Sequence, residues 1–296
     1  MINCKKFGAV AALYGAVCFV CMACSAGASE DEGGTLAWQD PIVGGTSDRG
    51  KDKAVVAIDI GGEGLCSGSL IGPRLVLTAR HCVSDTSESV SCPSHEPQVS
   101  GTHPADTFTI LVGDDVRTAR PVAIGKSVIV PASDQLCDHD LALIELDRTV
   151  TGVTPLALGA LIGVKAVRGV GFGKRGDNAA AGTKVTRSNV PILSSSSAEF
   201  EVGVLSCNGD SGGPALDSAG RVVGVVSRGG PDCSGAHSTN LYTRVDAFHE
   251  LIEQALGEAP ASTSEGGAAG ATCGTGKRCP NGSHCNSSTL RCEASS

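Results

Sequence analysis

The stretch Cys207-Asn208-Gly209-Asp210-Ser211-Gly212-Gly213-Pro214 constrains this chain more than any other. Three glycines and a proline in eight residues disfavour both a regular helix and an interior strand, so the backbone bends here around one serine. A serine hydroxyl becomes a useful nucleophile when a base takes its proton and fixed donors stabilise the oxyanion that follows. The glycines beside Ser211 let the amides of Gly209 and Ser211 point at a common spot, as in an oxyanion hole. The stretch therefore predicts partners elsewhere in the chain.

At 296 residues the chain can bury a large core in one domain or two. A net charge of -8 and a pI near 5.3 argue against nucleic acid or an anionic membrane as the main partner, since both need a cationic face. The 40 glycines, among few aromatics and short Val/Ile/Leu runs, point to many turns joining short strands. Of the 14 cysteines, ten lie beyond the N-terminal segment; an even number in an exported chain favours disulfides over metal ligands or free thiols.

Residues 1–28 have a signal peptide's layout: Lys5 and Lys6, an apolar run from Phe7 to Ala23, then small residues. A membrane-spanning helix is the alternative, but the run is short and no cationic stop follows it. Cys21-Met22-Ala23-Cys24 loosely resembles a bacterial lipobox, which would make Cys24 a lipid anchor at the cell envelope. A cut after Ala28 would instead release a secreted protein. Residues 29–41 are acidic and aperiodic, as in a propeptide or linker, and lead into Ile42-Val43-Gly44-Gly45.

Strand-like runs follow at Ala54–Ile60 and Leu65–Thr78, joined by a glycine-rich turn at 61–64. The second runs into Ala79-Arg80-His81-Cys82. An isolated histidine at a strand end is an ordinary structural residue; here a Cys66–Cys82 bridge would staple His81 in place, as a general base requires. Residues 84–103 are polar and read as a surface insertion. Further strands are expected at Thr107–Val112 and Pro121–Val130. Cys92 and Cys137 have no other evident partners and are paired. Asp140 precedes the apolar run Leu141–Leu146, so its carboxylate lies at a core edge, either as a strand-start cap or as the acceptor that orients His81. Asp138 and His139 compete for that role, but Asp138 would point into the loop.

Ile-Val-Gly-Gly, Thr-Ala-x-His-Cys, Asp-Leu-Ala-Leu and Gly-Asp-Ser-Gly-Gly-Pro occur here in one order. In these motifs the chain resembles a trypsin/chymotrypsin-like serine peptidase of the S1 family over roughly residues 42–256. The resemblance implies an all-β domain (42–257): two antiparallel six-stranded β-barrels with the site between them and a C-terminal helix. Asp246 as N-cap, with Phe248, Leu251, Ile252, Ala255 and Leu256 at helical spacing, supplies that helix independently. By the same resemblance His81, Asp140 and Ser211 form the catalytic triad of a serine endopeptidase, and Gly209 and Ser211 its oxyanion hole. Cys207 pairs with Cys233; Leu205, Ser206 and Asn240 line the pocket for the P1 residue; Ser227, Arg228 and Gly229 pair with the substrate backbone. Asp210 receives the ammonium of Ile42 after cleavage by an activating protease. The implied partners are protein or peptide substrates, the implied state is a monomer, and no cofactor or metal is called for.

The departures carry information too. Leu205 stands where trypsins carry an aspartate and Asn240 where a glycine opens the pocket, so a neutral, small or medium P1 residue is expected in place of Arg or Lys. Arg228 replaces a tryptophan, which would favour acidic residues farther along the substrate; Arg80 before the histidine has no account at this level. Pro41 before Ile42 offers a trypsin-type activator nothing basic to cut after. Asp114 and Asp115 read as solvated turn carboxylates, since the turn before Pro121 is short for a calcium loop.

Residues 258–272 form a flexible linker to a small module over 273–292, where Cys273, Cys279, Cys285 and Cys292 make two disulfides of open connectivity. Two alternatives are weighed against the peptidase. Gly209-x-Ser211-x-Gly213 also fits an α/β-hydrolase elbow, with Asp232 or Asp246 and His237 or His249 following it. A non-catalytic peptide-binding protein could use the same scaffold.

Overall fold

Short β-branched runs interrupted by glycine and proline pair into ladders when their neighbours close around an apolar interior, and here they do so twice. The computed structural model describes residues 45–86, 90, 92, 96–174, 179–229, 233 and 239–258, and the backbone of 283–286 and 291–294. The leader, Cys24, Ile42, Cys273 and Cys279 lie outside the described residues, as does most of the linker.

In chain order the first half comprises β1 (Thr46–Ser47), β2 (Val55–Ile60), β3 (Gly64–Gly72), β4 (Leu75–Thr78), β5 (Ser84–Thr86), β6 (Val99–Thr102), β7 (Phe108–Val112), β8 (Arg120–Ile129) and β9 (Ala142–Leu146). Six of these close an antiparallel barrel in the order β2-β3-β4-β9-β8-β7. The run expected to be one strand from Leu65 to Thr78 is two: Pro73 cannot donate to a ladder, and the chain turns at Pro73-Arg74 between β3 and β4. The polar insertion is not shapeless, since its ends pair as β5 and β6.

The second half comprises β10 (Ala166–Gly171), β11 (Val185–Ser195), β12 (Glu199–Gly203), β13 (Pro214–Leu216), β14 (Val222–Gly229) and β15 (Thr239–Arg244). They run β11-β10-β13-β14-β15-β12, with β12 returning to β11 to close a second barrel of six strands; β1 adds to β11 at Thr46–Thr186. A 3₁₀ turn at Asp246–Phe248 opens helix α1 (His249–Glu258), which buries Ile252 and Ala255 with the first barrel's core. Asp246 does not cap it: its carboxylate accepts from the Leu161 amide at 3.1 Å and from the Arg244 guanidinium. Beyond the linker, β16 (Ser283–Asn286) and β17 (Arg291–Ala294) form an antiparallel hairpin in which Cys285 is in register with Cys292. The closed antiparallel barrels exclude the α/β-hydrolase alternative, which needs a parallel sheet between helices.

A buried charge cluster ties the start of the domain to the second barrel. The Lys184 ammonium, 1% exposed, donates to the carbonyls of Asp52 and Val55 at 2.9 and 3.3 Å. It lies 3.3 Å from Asp114, 3.8 Å from Asp48 and 5.5 Å above the Phe172 ring. Asp114, its side chain 39% exposed, pairs on its inner side with this buried cation, and Asp115 binds Arg117. Burial raises the Asp48 carboxyl above its ordinary value; burial also works against ionised Asp52, but the Arg168 guanidinium holds that carboxyl low. Removing one member of such a pair strands the others in a dry interior. Lys184→Met is expected to cost about 3 to 5 kcal/mol in urea unfolding. A loss below about 1 kcal/mol, the size of a surface pair, would contradict this.

Candidate active site

His81 sits in a 3₁₀ turn, Arg80–Cys82, that leaves the end of β4 and is stapled to β3 by the Cys66–Cys82 disulfide. Buried Arg80 donates to the carbonyls of Pro131 and Ser133, so the residue without a sequence-level account holds the 131–133 segment against the histidine turn. The His81 amide donates to Asp140 Oδ1 at 3.0 Å and His81 Nδ1 to Asp140 Oδ2 at 2.8 Å. Of the neighbouring candidates, His139 turns its Nδ1 to the Cys137 carbonyl, and both His81 bonds go to Asp140 and not to Asp138, whose backbone amide donates to Glu199. The Cys92–Cys137 disulfide clips the insertion to this loop.

Asp140 is 2% exposed and accepts a third bond from the Ser227 hydroxyl at 2.7 Å. Burial pushes its carboxyl up, but the His81 charge and these bonds prevail and hold it below the usual range. For His81 burial pushes the imidazole down, and the Asp140 charge and hydrogen bond reverse that, so its pKa lies above 6.5. The pair therefore favours an imidazolium beside a carboxylate.

Ser211 is tied to the first barrel through backbone contacts. Its carbonyl accepts from the Ser67 amide at 2.8 Å, and next to it Gly212, at φ +80°, lies so close that a Cβ would collide with the Thr78 hydroxyl, the Ser67 carbonyl and the Ala79 amide. The serine loop of the second barrel is thus pressed onto the strand end that carries His81. The Ser67 hydroxyl donates to the Gly209 carbonyl at 2.8 Å and accepts from the Phe172 amide at 3.0 Å. With its carbonyl held and its φ at +100°, Gly209 takes a turn that a side chain would resist. Among the described residues neither the Gly209 nor the Ser211 amide has an acceptor. Sequence reasoning missed Ser67; the available signal was a serine beside Cys66 in a strand otherwise apolar enough to be buried.

Asp210 is buried, its oxygens met by the amides of Gly173 at 2.7 Å and Cys207 at 3.0 Å, and burial pushes its pKa up to about 7 against those two bonds. The Cys207–Cys233 disulfide ties the loop before Ser211 to position 233. Leu205 is fully buried, with its side chain in the second barrel's core against Gly169. The Asn240 carboxamide accepts from the amides of Leu205 and Ser206 at 2.6 and 2.9 Å and donates to the Ser206 carbonyl at 3.3 Å. On its other side it reaches Gly229, where a Cβ would strike the Asn240 nitrogen. Asn240 therefore bridges the 205–206 segment and the 227–229 strand. Arg228 is not a free cation: it makes a two-bond fork with Glu199 at 2.6 and 2.7 Å.

Residues 42–252 match the Trypsin family, and the chain belongs to it. It is a serine-type endopeptidase acting on protein or peptide substrates. Among relatives, Snake venom serine protease 3 of Protobothrops jerdonii is 29% identical over 223 residues, covering 65% of this chain and 78% of its own length. Brachyurin of Leptuca pugilator is 28% identical over 215 residues, covering 66% and 89%. A solved Glu endopeptidase in complex with MPD shares the fold at a TM-score of 0.56 and 20% identity, over 70% of this chain and 92% of that one.

Ser227 supplies one of three donors to a buried carboxylate, so Ser227→Ala is expected to cost about 1.5 to 3 kcal/mol at pH 7 in denaturant unfolding. Because the Asp140 pKa is depressed on folding, this contribution is present above the unfolded value near 3.8 and fades as pH falls through the folded one. A mutant equally stable at pH 7, or a gap that widens in acid, would contradict the assignment.

Proposed function

We propose that this chain hydrolyses peptide bonds through an acyl-enzyme, with His81, Asp140 and Ser211 as the triad. The observation that carries the reading is the pair of hydrogen bonds from His81 to Asp140, with the Ser211 loop packed on the same strand end. Ser211 Oγ attacks the scissile carbonyl while His81 Nε2 takes its proton; Asp140 holds Nδ1–H and stabilises the imidazolium. The oxyanion is met by the Gly209 and Ser211 amides, each worth roughly 10² to 10³ in rate. His81 then protonates the leaving amine, and water releases the acyl group by the same steps.

P1 is a small or medium neutral residue. Position 205 carries no carboxylate to meet an arginine or lysine, its leucine being packed into the second barrel's core and not lining a pocket, and the Asn240 carboxamide fills the space between the 205–206 segment and Gly229. Residues 1–28 export the chain, either free or anchored through Cys24, into a compartment that suits its disulfides. Cleavage between Pro41 and Ile42, by a protease that is not trypsin-like, provides an ammonium for Asp210, whose buried carboxyl otherwise holds its proton near neutrality. The module over 273–292, joined to the peptidase domain by residues 258–272, is tied by two disulfides among Cys273, Cys279, Cys285 and Cys292.

A fluorophosphonate probe is expected to label Ser211 in active protein beginning at Ile42, with labelling lost by at least about 10³-fold in His81→Ala. Equal labelling of the variant, or an active form beginning upstream, would refute the triad or the activation pair respectively. In a peptide library, P1 dominated by Arg and Lys would refute the pocket reading. The base works as neutral imidazole, so kcat/KM rises with pH through the His81 pKa. Since Asp140 raises that pKa, the limb lies above 6.5, and Asp140→Asn is expected to move it to lower pH and reduce kcat by about 10⁴, as in the template triad. A limb that stays in place would show that Asp140 does not set the base.

A further inference from the structure

The side chain at position 228 lies on the strand that, in the peptidase reading above, pairs with substrate, and its charge is already spoken for. Glu199, the first residue of β12 and 8% exposed, presents both carboxylate oxygens to the two terminal nitrogens of Arg228. The same carboxylate accepts the Asp138 amide at 3.1 Å, which fixes it against the loop leading to Asp140. Arg228 also donates to the Ser227 hydroxyl at 3.3 Å, and its side chain remains 22% exposed. A two-bond fork of this kind fixes orientation as well as charge, and it takes the guanidinium's best anion-binding edge. An arginine here would otherwise be a ready donor to a substrate carboxylate; clamped, it forms a polar wall with no net charge.

We infer that Glu199 is a specificity-determining residue: by holding Arg228 against Ser227 it keeps the subsites for P2 to P4 indifferent to substrate charge. The inference rests on the peptidase reading and on the strand 227–229 as the substrate-pairing edge. It makes the two partners opposed selectors. Without Glu199 the cation at 228 is free to choose acidic peptides, and without Arg228 the carboxylate at 199 is left to choose basic ones.

The test compares kcat/KM for peptides of one sequence that differ only in Gln, Glu or Lys at P2, P3 or P4. Wild type is expected to treat the three alike within about threefold. E199Q should gain a preference of about tenfold or more for Glu over Gln at one of these positions, and R228Q a similar preference for Lys over Gln. The double variant E199Q/R228Q should return to indifference. A merely structural pair would lower all peptides by one factor and leave the ratios untouched, and that result overturns the inference. So does a wild type that already prefers Glu by tenfold. If E199Q does not fold, the ratios of R228Q decide alone. Wild-type protein that cleaves none of the peptides yet labels with fluorophosphonate at Ser211 sinks the subsite assignment; failure to label as well sinks the peptidase reading itself.

Discussion

The two barrels depend on a seam where one small buried residue does the joining. Ser67 lies on β3 of the first barrel, fully buried, and bonds through its amide to the Ser211 carbonyl, through its hydroxyl to the Gly209 carbonyl and Phe172 amide, and through its carbonyl to Thr78. All four partners are groups that would be costly to leave dry and unpaired. The approach is close enough that Gly212 has no room for a side chain. The geometry around Ser211 is therefore a property of how the barrels meet, and not of the serine loop alone.

Buried charge follows the same pattern on both sides of the seam. Lys184 gathers Asp48 and Asp114 where the domain's first strand joins the second barrel, while Arg228 on β14 and Glu199 on β12 neutralise each other. Paired charges of this kind add little net stability compared with apolar packing but fix relative position sharply, since each is costly to separate. Asp210 stands apart, a buried carboxyl held by two amides and pushed toward neutrality by its burial. Such a group gives a distant ammonium a strong reason to come inside.

Much of this was legible in the chain. The strand runs, the histidine before Cys82 and the aspartate before an apolar strand all depend on local patterns, and local patterns survive in sequence. What was misread were features decided by a neighbour in space. Asp246 looks like a helix cap until Arg244 and the Leu161 amide claim it. Arg228 looks like an acid-seeking cation until Glu199, 29 positions away, closes on it. Asp114 is solvated as expected, but it also meets the Lys184 ammonium, 70 positions away.

The sequence by itself determined which groups are available: a serine in a bent, glycine-rich loop, a histidine on a stapled turn, an aspartate at a strand edge, and a leucine in place of an aspartate at position 205. These follow from residue type and local backbone preference, which act over a few positions. Tertiary structure alone decided how the groups are paired and what each is free to do. Asn240 bridges the 205–206 segment and β14, Ser67 joins two barrels and Glu199 restrains Arg228, because hydrogen bonds and charge pairs act over about 3 Å in space whatever their separation along the chain.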